Sequence, residues 1–200
     1  MSISFFRTIR TATEGFYKDK GSKFLAFAYP VKEEEEVKEY LKDLKTTYYD
    51  ARHHCYAFIM GPEGGTFRAG DDGEPSNSAG APILNQIRSA ELTNIVVIVV
   101  RYFGGTKLGV SGLIEAYKTA TADALNKAEI VQDYEKSSMS FSFDYTDMNP
   151  VMRTLEQEGV EIVQQDFTEN CTFQLEVAVD LMPDLKKNLE SIVSVVVTME

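Results

Sequence analysis

The chain is poor in the residues that most often carry covalent or metal chemistry, with two cysteines and two histidines in 200 positions. Cys55 and Cys171 lie far apart, so neither a disulfide framework nor a zinc-ligand spacing is expected. No apolar run reaches the ~18 residues of a membrane span. Positive charge is also short: 20 Lys and Arg face 31 Asp and Glu, a net charge of −11, which argues against a simple basic nucleic-acid binder. Met1 to Glu14 alternates apolar and polar residues and does not read as a secretory signal. A soluble cytoplasmic protein without a membrane partner is the expectation.

What is present supports a packed fold. Hydrophobic residues make up 44% of the chain, which excludes general disorder. The charge is unevenly spread. Residues 1–130 carry 16 cations and 17 anions, whereas residues 131–200 carry 4 and 14. Two domains with different surface fields are expected, bounded at 1–130 and 131–200.

In the first segment, Phe5 to Thr13 and Phe24 to Tyr29 read as strands joined through the polar turn Lys18-Asp19-Lys20-Gly21-Ser22-Lys23. Val37, Leu41, Leu44 and Tyr48 give Glu33 to Tyr48 one apolar helical face. His54 to Met60 is a strand, and Gly61 to Gly73 a loop or irregular hairpin. Gly80 to Ala90 is a helix with Pro82 in its first turn. Ile95 to Val100 is a continuous β-branched run, the mark of a strand buried on both faces. A helix follows from about Ser111, a plausible cap, to Lys127. The second segment reads strand, helix, strand, strand, helix, strand. Its first helix stops at Gly159, and Asp180 and Pro183 open the second. That order is the split βαβ pattern of ferredoxin-like domains.

Three clusters between Asp50 and Tyr117 stand out: Asp50-Ala51-Arg52-His53-His54-Cys55, Asp71-Asp72-Gly73-Glu74-Pro75, and Arg101-Tyr102-Phe103-Gly104-Gly105-Thr106-Lys107-Leu108-Gly109. Neighbours on a strand face opposite ways, so His53 and Cys55 share a side and His54 does not. Three convergent metal ligands are not visible, and no metal is assigned. A cysteine nucleophile would need a base within reach, which His54 is not placed to supply. Asp71, Asp72 and Glu74 form a candidate acidic site loop. They miss the alternating calcium pattern, and a turn with helix-capping carboxylates is the plainer reading. The Gly104-Gly105 loop lacks the Gly-Lys-Ser/Thr of a phosphate-binding loop. It does stand between a buried strand and a helix, where backbone amides can gather round an anion.

In this order the clusters resemble the YigZ/IMPACT family, together with Lys20-Gly21-Ser22-Lys23-Phe24, Ala79-Gly80, Gly112-Leu113 and Ala116-Tyr117. The chain departs from the family pattern at Asn77-Ser78 and Val110-Ser111. The resemblance implies an α+β protein. Its N-terminal domain would be like domain IV of elongation factor G and its C-terminal domain like domain V of that factor, which works on the ribosome; the element order makes the C-terminal domain ferredoxin-like, βαββαβ.

The function expected is a non-enzymatic binding protein that acts on RNA or the translation machinery, as a regulator of translation. Its RNA- or anion-binding residues would be Lys23, Arg52, His53, Arg101, Tyr102, Gly104, Gly105 and Lys107. No catalytic residue and no cofactor is assigned. One alternative is a hydrolase or phosphate-linked enzyme built on His53, Asp71 and Gly104. Another is a protein-interaction module whose acidic C-terminal domain recruits a basic partner.

Overall fold

The run Ile95 to Val100 carries no polar face because both sides of its strand are covered. In the computed structural model, which describes residues 4–168 and 170–199, the chain divides into two compact units. One is Phe6–Asp133. The other is Tyr134–Glu200 with Met1–Phe5.

In the larger unit the elements run β1 (Phe5–Ile9), β2 (Thr13–Asp19), β3 (Ser22–Pro30), α1 (Glu34–Thr47), β4 (His53–Met60), β5 (Thr66–Gly70), α2 (Gly80–Ser89), β6 (Ile95–Tyr102), α3 (Gly109–Lys127) and β7 (Ile130–Tyr134). Five strands form one sheet in the order β2-β3-β6-β4-β5, every neighbouring pair antiparallel. Strand alternation sends Ile95, Val97 and Val99 to one face of β6, where Ile83 and Ile87 of α2 and Leu113, Tyr117 and Ala120 of α3 cover them. Val96, Ile98 and Val100 turn to the other face, against Val37 and Leu44 of α1. A helix layer on each face is what a strand apolar on both sides requires.

The expected opening hairpin is corrected. β3 pairs with β2, whereas β1 pairs with β7 in a separate two-stranded ribbon. β2 and β5 are the outer strands of the five-stranded sheet. Their exposed positions, such as Phe16 and Phe67, break the half-buried alternation by which a strand is read. The helical cap expected at Ser111 is also corrected: α3 begins at Gly109, and no side chain caps it.

The smaller unit contains β8 (Lys136–Phe143), α4 (Met148–Glu158), β9 (Ile162–Phe167), β10 (Cys171–Ala178), α5 (Met182–Glu190) and β11 (Val196–Met199). Its sheet order is β11-β8-β10-β9. Counted within the unit, the fourth strand lies beside the first, and the third beside the second. This is the ferredoxin-like arrangement expected from the element order. Met139, Phe141, Phe143, Phe173 and Leu175 turn to one face and meet Val151, Leu155, Leu185 and Leu189 of the two helices. Gly159 ends α4 with φ 67°, the left-handed stop that glycine adopts without strain. Asp180 does not cap α5. Its carboxylate accepts the Ser4 amide at 2.7 Å, and Pro183 stands in the first turn.

Candidate functional site

Strand pairing gathers three stretches, separate in sequence, at one end of the five-stranded sheet. Lys18 pairs with Lys23, Lys23 with Tyr102, and Arg101 with His53. The β2–β3 turn, the start of β4 and the end of β6 therefore lie side by side. Lys20 and Gly21 make the turn, with φ of 44° and 82°, the left-handed pair that a tight hairpin needs. Gly104 lies directly on that turn. A Cβ there would fall 1.9 Å from the Gly21 carbonyl carbon, and its N–H donates to Ser22 Oγ at 3.1 Å. Gly104 is thus explained by backbone contact rather than by approach to a ligand. Gly105 has φ +88° and open space around it.

Five cations lie at this end: Lys18, Lys20, Lys23, Arg52 and Lys107. All are exposed, and among the described residues none makes an ion pair. Most other cations of the same unit do, as Arg7 does with Glu91, Arg10 with Glu129 and Lys127 with Asp123. Most of the unit's cations without an ion pair therefore lie at one pole, with the acid Asp19 in the same turn.

Beside the pole opens a cavity of about 450 Å³. Its lining includes Arg52, His53 and Lys107 together with the apolar Phe103, Leu108, Val110 and Leu113. The first residues of α3 border it. That helix has no side-chain cap and no acid in its first turn, so its positive dipole end is not compensated locally.

Arg101 also lines the cavity, but not as a free cation. Its Nη1 lies 2.6 Å from Glu74 Oε1, and the two side chains are 7% and 3% exposed. The pair cancels the charge that Arg101 was expected to offer an anion. Tyr117 O–H donates to the same Glu74 oxygen at 2.8 Å. Cys55 Sγ lies 3.3 Å from the Tyr117 oxygen and 3.0 Å from the Asp71 carbonyl. Burial pushes the pKa of both the Cys55 thiol and the Tyr117 phenol upward. The thiol stays protonated, the opposite of what a nucleophile needs. Among the described residues Arg101 Nε has no hydrogen-bond partner.

The acidic loop turns its carboxylates to the fold. Asp71 accepts the amides of Asn77 at 2.8 Å, Ala79 at 3.0 Å and Gly80 at 2.8 Å, and so holds the N-terminus of α2. Asp72 accepts the His54 amide at 2.7 Å and meets Lys45 Nζ at 3.3 Å. Glu74 holds Arg101. His53, Asp71 and Gly104 do not converge on the cavity, since only His53 lines it.

The two histidines part as strand alternation requires. His53 Nδ1 lies 2.9 Å from the Asp72 carbonyl. A carbonyl only accepts, so Nδ1 carries the proton and Nε2 the free lone pair in the neutral ring. His54 is buried on the α1 side. Burial lowers its pKa, outweighing the attraction of Asp72. Tyr102 also packs on the α1 side. It donates to Asp50 Oδ1 at 2.7 Å, a bond that pushes the phenol up to about 12. Tyr102 is therefore separated from the cavity that its neighbour Arg101 lines. The residues missed in sequence are Lys18, Lys20, Phe103, Leu113 and Tyr117. Lys18 and Lys20 stood in a plain polar turn, and only the pairing of β3 with β6 carries that turn to Lys107. Among the described residues, no three His, Cys, Asp or Glu side chains are placed to hold a metal, and no helix is long and apolar enough to cross a membrane.

Comparison with known proteins follows the same division of the chain. The family described as the Impact N-terminal domain matches residues 20–125, and that described as a domain of unknown function, DUF1949, matches residues 141–194. "IMPACT family member YvyE" of Bacillus subtilis is 32% identical, over 84% of this chain and 77% of that protein. "IMPACT family member in pol 5'region" of Thermus thermophilus is 36% identical, over 77% of this chain and 83% of its own. A solved structure described as that of an hypothetical protein superposes with TM-score 0.73 at 22% identity, covering 100% of this chain and 98% of the other. At that identity the likeness speaks for the fold alone.

Proposed function

Because this chain belongs to the IMPACT family, we propose that it acts on RNA or the translation machinery as a binding protein rather than an enzyme, and that it holds RNA phosphates at the cationic end of its five-stranded sheet. The observation that carries this is the gathering of Lys18, Lys20, Lys23, Arg52 and Lys107, all exposed and without an ion pair among the described residues, at one end of the five-stranded sheet. Unpaired cations repel one another, and an arrangement that leaves five together suits a polyanion. The uncapped start of α3 adds amide donors at the same place. The resemblance to a domain of a ribosomal factor supports a role in regulating translation.

The test is co-sedimentation with ribosomes and binding of total RNA, each at low and raised salt. Binding should weaken steeply with salt, by roughly 0.7 in logarithmic slope per phosphate neutralised on a single strand. Lys20→Glu and Lys107→Glu should each lower affinity, with stability changed by no more than ~0.5 kcal/mol, since both charges are exposed. Full binding by both variants, or none by the unmodified chain at low salt, would overturn the reading.

A further inference from the structure

The phosphate reading leaves the cavity itself without a use. Its lining mixes two kinds of group beside the Arg101–Glu74 ion pair. Arg52, Lys107 and the start of α3 are cationic or donor-rich, whereas Phe103, Leu108 and Leu113 are apolar. Resting on the RNA reading above, we infer that this cavity takes one unpaired nucleotide of the bound strand. Its phosphate would sit between Arg52 and Lys107, and its base against the Phe103 side. The protein would therefore select single-stranded over duplex RNA.

Three observations support this. The cavity of about 450 Å³ is in the size range of sites for small organic ligands. Phe103 is 44% exposed, and the Arg101 guanidinium carbon lies 5.7 Å from its ring centroid. A phenyl ring held by a buried guanidinium and still open to solvent is a stacking platform for a base. The charge pattern names the ligand as a strand. Lys18, Lys20 and Lys23 lie on the neighbouring hairpin and do not line the cavity, so one nucleotide in the cavity would leave them to the phosphates on either side. Bases inside a duplex are stacked and paired and cannot enter such a cavity without being flipped out.

The experiment compares the full chain's affinity for a single-stranded RNA of roughly ten nucleotides with its affinity for the same sequence as a duplex, by fluorescence anisotropy at low salt. The single strand should bind about tenfold tighter, within what stacking of one base supplies. Phe103→Ala should remove roughly that tenfold from single-strand binding and leave duplex binding unchanged, and Phe103→Trp should restore it. Lys20→Glu should weaken both RNAs alike. Melting curves of each variant show whether the fold is kept. Equal affinity for the two RNAs, or an equal loss for both in Phe103→Ala, would overturn the nucleotide cavity and leave the phosphate surface standing. Binding of neither RNA would remove both.

Discussion

Gly104 and His54 show how single residues carry constraints their types do not announce. A glycine after a buried strand suggests room for a ligand, yet at Gly104 the room is already filled by the Gly21-Ser22 backbone. Gly104→Ala should lower unfolding stability by ~1–3 kcal/mol or more, because neither backbone can yield as a side chain would. Gly105→Ala meets no atom within 4 Å and should cost only the ~1–2 kcal/mol of a left-handed residue. Urea midpoints compare the two, and equal losses would contradict the contact at Gly104. His54 predicts a pH dependence. Its folded pKa is lowered by burial, so the unfolded chain takes up the proton first. The stability it contributes is present above about pH 6.5 and is lost as pH falls from there through the folded value. Asp72 and Lys45 face the same ring and act in opposite directions. Melting temperature should fall between pH ~7.5 and ~5.5, and His54→Gln should flatten that slope. An unchanged slope in the variant would show that another group carries it.

At the scale of elements, the helix starts of the larger unit divide by use. Glu36 accepts the amides of Lys32 and Glu33 at the start of α1. Asp71, nine positions before Gly80, does the same for α2. Among the described residues no carboxylate is seen to hold the first amides of α3 in this way, and that is where the cavity opens. Asp71→Ala should cost ~1–2 kcal/mol of stability, as the loss of a helix cap does, with Asp71→Asn retaining part of it. Denaturant unfolding measures both, and an unaffected alanine variant would place the hold on α2 elsewhere. The outer strands β2 and β5 make a related point. Much of their surface faces solvent, so their sequences lack the alternation that made β6 legible.

For the whole molecule, the division of charge and the division of cores fall close together. The acidic segment has its own closed core of Phe141, Phe143, Phe173, Leu155 and Leu185, and its sheet draws all four strands from residues 136–199. We expect residues 134–200, expressed alone, to show a circular dichroism spectrum of mixed helix and strand and to melt cooperatively. A disordered fragment would contradict its standing as a unit. It would then depend on the rest of the chain, as a segment this small can when its core is marginal.

Local chemistry by itself determined much of this protein. The β-branched run of β6, the apolar faces of α1 and α3, the stop at Gly159 and the βαββαβ order all depend on neighbours a few positions away, which periodicity and turn chemistry record. The opposite facing of His53 and His54 was likewise legible, because it follows from one strand. Tertiary structure alone decided the use of each charge. Arg101 and Glu74 are 27 positions apart and cancel each other in the core. Asp71 reaches across a loop to hold α2. Lys20 and Lys107 come to one pole because β3 pairs with β6. Each of these depends on which strand lies beside which. That choice rests on long-range burial summed over the whole sheet, and no single segment of the chain contains it.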